Sequence, residues 1–228
     1  MQANPKIQVL KNGPYLISGR IPLFPAIIQC GKNDVPTSWN FQSKMQSPQT
    51  YILCRCGQSK TKPFCDGSHV HTNFDGTETS NSMLFEKIAK TIDGPELSLK
   101  DAEILCASAR FCHRGGDIWD EIPKSDKSET KQNSIRNACD CPSGRLVVTD
   151  KKTGQTIEPT LDKSIGLIED PNKGVSGPLW IRGWIPVFSS DGKPYEVRNR
   201  ITLCRCGKSQ NKPFCDSSHY PEEDREVK

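Results

Sequence analysis

The chain has no apolar run long enough to cross a bilayer. Its first residues, MQANPKIQVLKNGPYL, lack the basic stretch and apolar run of a secretory leader. Both absences predict a reducing, cytoplasmic setting without membrane contact, where clustered cysteines read as metal ligands or redox groups rather than disulfides. The cysteine count is 11, an odd number that full pairing would not use up. Hydrophobic residues are 34% and aromatics 7% of 228 residues, thin material for one large core. Several small modules held by metal fit that composition better. A net charge of +4 is short of the concentrated basic surface that nucleic acid requires. There is no G-x-G-x-x-G loop and no nucleophile set beside a base, so binding is favoured over catalysis. The acidic run Glu222–Glu226 reads as a frayed end.

What the chain does contain, it contains twice. LCRCGQSKTKPFCDGSH (Leu53–His69) returns as LCRCGKSQNKPFCDSSH (Leu203–His219) with cysteines and histidine at one spacing. The likeness extends upstream, where NGPYLISGRIPLF (Asn12–Phe24) and SGPLWIRGWIPVF (Ser176–Phe188) share seven of thirteen positions. A repeat of this size is a duplicated module. Short apolar runs broken by Gly and Pro predict strands around Leu16–Ile21 and Trp180–Ile185, with further strands over Thr50–Cys54 and Val197–Cys204. SSDGKPY (Ser189–Tyr195) predicts a hairpin turn. In the first copy the same connection is longer, carries Cys30 and Trp39, and reads as a surface loop with an ordinary thiol.

Within each motif the C-x-C-x8-C-x3-H spacing can gather four ligands: Cys54, Cys56, Cys65 and His69, and then Cys204, Cys206, Cys215 and His219. Cysteines two apart on an extended strand point the same way. Asp66 and Ser68 are N-cap residue types, so a helix is expected to start there and to carry His69 on its first turn. Zinc in a closed tetrahedral Cys3His site and a [2Fe–2S] cluster with one histidine both suit this donor set. Spacing alone leaves the choice open. Lys60, Lys62, Lys208 and Lys212 nearby read as solvated loop charges or as a steering surface for an acidic partner.

The string CRCGQSKTKPFCDGSH resembles the CDGSH iron–sulfur family, the mitoNEET-type proteins. The resemblance covers about residues 10–70 and 174–220 and implies a [2Fe–2S] cluster in each copy. Cys54 with Cys56 would then hold one iron and Cys65 with His69 the other, and correspondingly in the second copy. Where the family has glycine the second copy has Ser217, which bears on cluster stability if that position needs positive φ. Single-motif members pair as homodimers, so the duplication implies a monomer folded as a pseudo-dimer.

Between the copies lie Cys106, Cys112, Cys139 and Cys141, the last followed by Pro142 as in ferredoxin runs. LCASARFCHRGG…ACDCPSGRL is similar to divergent single-cluster ferredoxin domains, although the close-set C-x2-C-x2-C is absent. These four cysteines are candidates for a third centre, iron–sulfur or zinc, with His113 as an alternative ligand. SLKDAEILCASARF reads as a helix capped by Ser98, a second helix is expected near Ile135–Ala138, and a strand over Leu146–Thr149.

The expected architecture is α+β. Two small β-rich modules, residues 1–80 and 161–228, flank an α+β cysteine-rich insert, residues 81–160. The expected function is one-electron transfer, cluster transfer or redox sensing with a protein partner, and no nucleic acid. The alternatives are a zinc-stabilised interaction protein and an oxidoreductase that uses the clusters as an internal relay.

Overall fold

A computed structural model describes residues 4–80, 83–222 and 225, so most of the acidic Glu222–Glu226 run lies outside the described residues. The first copy contributes β1 (Lys6–Val9), β2 (Tyr15–Ser18), β3 (Leu23–Cys30), β4 (Pro36–Phe41) and β5 (Thr50–Leu53). The middle contributes α1 (Phe85–Ile88), β6 (Lys90–Asp93), β7 (Leu97–Asp101), α2 (Ile118–Glu121), α3 (Ser128–Asp140), β8 (Leu146–Asp150) and β9 (Thr156–Ile157). The second copy supplies β10 (Ser164–Asp170), β11 (Val175–Arg182), β12 (Val187–Phe188) and β13 (Arg200–Leu203). The architecture is mostly strands with few helices, and no helix among the described residues is long and apolar enough to cross a membrane.

The two copies exchange a strand. β1, β2 and β5 pair antiparallel in one sheet and β10, β11 and β13 do the same in another, with matching register. β12 of the second copy adds parallel to β1, placing Val187 opposite Ile7. In return β3 of the first copy adds parallel to β10, placing Leu23 opposite Ile165. The crossing segments are the ones the copies share in sequence. Gly19 and Arg20 take φ of 91° and 53°, and Gly183 and Trp184 take 77° and 60°. Two left-handed residues in a row turn the chain out of its own sheet, a conformation that glycine adopts without steric cost. Ile-Pro then delivers it to the neighbour: Pro22 O accepts from Ile165 N at 2.8 Å, and Pro186 O accepts from Ile7 N at 3.0 Å.

Exchange of strands makes the core common property. Alternate side chains of both sheets face inward, so Ile7, Ile17, Leu23 and Leu53 from one copy form a single buried cluster with Ile165, Ile181, Val187 and Leu203 from the other. Neither copy owns a closed core.

Two sequence expectations need correction here. Leu97–Asp101 is strand β7, not a helix, with single 3-10 turns at Glu103–Leu105 and Phe111–His113. The reason is its period-two pattern: Leu97, Leu99 and Asp101 are buried while Ser98 and Lys100 are only partly so, between β6 and β8. Nor is the long connection of the first copy a loose surface loop. It is a hairpin of β3 and β4, and it docks on the middle region. Trp39 stacks 4.7 Å from Phe111 and 4.8 Å from Trp180, and its indole N–H donates to Asp140 O. The hairpin turn near Ser189–Lys193, helix α3 and strand β8 fall where the sequence put them.

Ile165 is fully buried at the junction of the two sheets. Ile165→Ala should lower unfolding free energy by about 2–5 kcal/mol, read from the urea midpoint. A loss under about 1 kcal/mol would contradict a core shared by both copies.

Candidate metal centres

Each motif folds by the same set of local hydrogen bonds. Cys54 N donates to Pro63 O and Cys204 N to Pro213 O, both at 2.8 Å, closing the loop on the end of the strand. The peptides before Pro63 and Pro213 are both cis. Ser59 Oγ donates to Phe64 O at 2.6 Å, and Ser209 Oγ to Phe214 O at 2.7 Å. The aspartates act as two-handed pins. Asp66 accepts from Lys60 N and Ser68 N, and Asp216 accepts from Gln210 N and Ser218 N. Those bonds, led by the one from Lys60 N, hold the Asp66 carboxyl far below the usual carboxylate range. Asp216 is also lowered, its hydrogen bonds overcoming the opposing effect of burial.

The helix expected at Asp66 does not form. Ser68–Val70 is one 3-10 turn, entered through Gly67 at φ 87°. Asp66 spends its two oxygens bracing the loop, so no helix end needs a cap. The second copy likewise has a turn, not a helix, over residues 217–220.

The ligand candidates meet in pairs. Cys54 and Cys56 sulfurs lie 3.7 Å apart, and Cys204 and Cys206 sulfurs 3.6 Å apart. Cys65 Sγ lies 3.5 Å from His69 Nδ1, and Cys215 Sγ is 3.5 Å from His219 Nδ1. A metal bound at about 2.3 Å to sulfur and 2.0–2.1 Å to nitrogen, with tetrahedral angles, needs an S–S edge of about 3.8 Å and an S–N edge of about 3.6 Å. Every pair matches an edge of one tetrahedron. Among the described residues no three His, Cys, Asp or Glu side chains converge on one ion-sized point. Backbone N–H groups of Gln58, Gly67, Lys208 and Ser217 point at cysteine sulfurs at 3.4–3.5 Å.

The two cages abut. A Cβ on Gly57 would come within 2.5 Å of Cys206 O, and one on Gly207 within 2.6 Å of Cys56 O. Only glycine permits that reciprocal approach. Their surroundings differ. Lys60, Thr61, Lys62 and Asp66 of the first loop are exposed, whereas Asn211, Pro213, Cys215 and Ser217 of the second are buried. Thr79 N and Ser80 N both donate to Lys212 O, strapping the second loop from above. Burial pushes the Cys215 thiol well up and the His219 ring down to about 4, which keeps that imidazole in its neutral, metal-binding form. Its Nε2 is buried without a hydrogen-bond partner.

Of the middle cysteines, Cys106, Cys112 and Cys141 line one small cavity together with Arg145. Burial, helped by the charges of Cys141 and Cys106, raises the Cys112 thiol, while His113 bonds to it and lowers it. His113 also pairs with Asp117. Cys139 is not on the cavity; the charges it feels are those of Arg200, Glu158 and Asp140. Cys30 stands apart, with Arg110 3.7 Å from its sulfur. Residues that the motif reading passed over complete the site. Arg145 bonds the Cys106 thiol and grips Asp101 with two nitrogens, at 2.5 and 2.8 Å. Trp119 Nε1 donates to the same aspartate. Nothing in local sequence marks Arg145, since the strand pairing of β7 with β8 is what brings it to Asp101.

Residues 12–70 and 176–220 each match the family model for the iron-binding zinc finger of CDGSH type, and residues 92–151 match that for a divergent 4Fe-4S mono-cluster. No curated protein and no solved structure matches the chain.

Arg145 and Asp101 are both nearly buried. Arg145→Met leaves a buried carboxylate with only Trp119, and should cost about 3–5 kcal/mol of stability by denaturant unfolding. Unchanged stability would mean that water replaces the guanidinium.

Proposed function

We propose that this iron–sulfur protein, with two CDGSH-type regions on either side of a divergent 4Fe-4S region, binds two [2Fe–2S] clusters through Cys3His ligation and works in one-electron transfer or cluster transfer. The observation that carries the reading is the pairing of ligands. Two separate pairs, each on the edge of its own tetrahedron, suit two irons that share sulfides. Cys54, Cys56, Cys65 and His69 would hold the first cluster, and Cys204, Cys206, Cys215 and His219 the second. A bound cluster supplies a one-electron couple, raised in potential by its imidazole ligand.

The chain's own residues prepare the sites for that chemistry. N–H groups aimed at sulfur stabilise charge there, and glycines let the two cages touch. Reciprocal strand exchange supports a pseudo-dimer within one chain, with the duplicated copies in the place of two subunits. Exposed Lys60 and Lys62 beside the open first cage favour an acidic protein partner. Cys106, Cys112 and Cys141 on one cavity support a third iron–sulfur centre, with Cys139 the remaining thiol of the set.

Purified aerobically, the protein should be red-brown, with about four irons and four sulfides in the two cages and more where the third centre is filled. Stoichiometric zinc in a colourless protein would replace the redox reading by a structural one. Cys112→Ser should lose the iron above that level, and Cys139→Ser should keep it.

The second cage also sets a pH expectation. A ring whose pKa falls from 6.5 unfolded to about 4 folded lends stability that is present above 6.5 and lost as pH drops toward 4. The protein freed of metal should therefore lose stability between about pH 6.5 and pH 4, read from urea midpoints, and His219→Gln should flatten that loss. An unchanged pH profile in the variant would contradict burial of His219 as its source.

A further inference from the structure

Between the third cysteine and the histidine the two cages differ at one position, Gly67 against Ser217. Both residues sit in left-handed backbone, with φ of 87° and 70°, and both aim N–H at the sulfur two residues earlier. A side chain at Gly67 would meet nothing within 4 Å. Ser217, by contrast, is 0% exposed. Its hydroxyl donates to Cys106 O at 2.9 Å and accepts from the Ser108 hydroxyl at 2.7 Å. Ser108 is 1% exposed, has φ of 50°, and aims its own N–H at Cys106 Sγ at 3.4 Å.

The arrangement is a pair of like halves. Each serine reaches its own cysteine sulfur through N–H, and the two hydroxyls join in the middle. A residue with a Cβ rarely takes left-handed backbone, because the side chain crowds the carbonyl. Here two successive links of one contact both do so, fully buried, which is the signature of strain held in place for a purpose. The result is an unbroken line of short contacts from Cys215 Sγ to Cys106 Sγ. The first cage, with glycine, has no counterpart.

We infer that the Ser108–Ser217 pair is the electronic contact between the central centre and the second Cys3His site. One electron leaves the reduced central centre and enters the oxidised second cluster by way of Cys106, Ser108, Ser217 and Cys215. The first is oxidised by one electron, the second reduced by one, and no proton or atom moves. A low-potential one-electron donor protein supplies the electron. The direction follows from histidine ligation, which makes the second site the better acceptor. This rests on reading the central cysteines as an iron–sulfur site.

The test uses the full-length holoprotein. Iron, sulfide and zinc are assayed first. A central site that is empty or holds zinc overturns the inference together with the reading beneath it, whatever the serines do. With a third cluster present, the protein is reduced in a laser flash by deazaflavin semiquinone and followed by absorbance, with parallel samples frozen for EPR. The electron should appear on the central centre and then on the second cluster. S217G, which restores the residue of the first cage, should slow that second phase several-fold. S108G should slow it by less, because Ser217 still donates to Cys106 O, whereas S217A removes both hydroxyl links while keeping a side chain there, so it carries the test if S217G loses its cluster. Both glycines accept positive φ without strain. An internal phase as fast in S217A as in the wild type, with all three clusters assayed, would overturn the inference while leaving the three-centre reading intact.

Discussion

Two hydrogen bonds between peptide groups, one in each direction, tie the two copies together. Pro22 O receives the amide of Ile165, Pro186 O receives that of Ile7, and from there each chain runs as a strand in the other's sheet. Everything downstream depends on that crossing. It makes one core from two thin ones, which a chain of 34% hydrophobic residues needs. It also fixes the strand ends Leu53 and Leu203 against the same core, and so the cysteines that follow them. Tyr15 of the first copy shows how closely the copies are joined, since its buried hydroxyl donates to Cys204 O in the second cage.

A duplicated chain is free to let its halves diverge, because a change in one is no longer copied into the other. The structure uses that freedom around the cages rather than inside them. Candidate ligands, aspartate pins, serine–carbonyl bonds and cis prolines are repeated. The burial is not. The insert and the strap at Thr79 and Ser80 close over the second loop, and a buried cluster of Arg110, Asp170 and Tyr220 anchors the chain just past His219. The first loop keeps its open edge.

Sequence patterns were readable where the chemistry is local. The candidate ligands, the repeat, helix α3 and strand β8 were all visible, since each depends on spacing within a short window. The failures have physical causes too. Ser98 ahead of Asp101 imitates a capping box, yet the alternation of Leu97, Leu99 and Asp101 is what tertiary burial selects. Asp66 looks like a helix cap, but both its oxygens are taken by loop amides. β1 and β10 occupy equivalent places in their sheets with little likeness in sequence, because a strand inside a shared core needs only apolar residues at alternate positions. The β3–β4 hairpin was hidden because Trp39 finds its partners, Phe111 and Trp180, far away in the chain.

The sequence by itself determined the set of candidate ligands and its duplication, since these are properties of residue type and spacing. Only the tertiary structure decided which sheet each strand joined, that the candidate ligands stand in pairs, that three of the four central cysteines share a cavity, and that Ser217 meets Ser108. Those are distances between residues more than a hundred positions apart in the chain. No local pattern encodes them, because they follow from how the shared core and the insert bury their surfaces against each other.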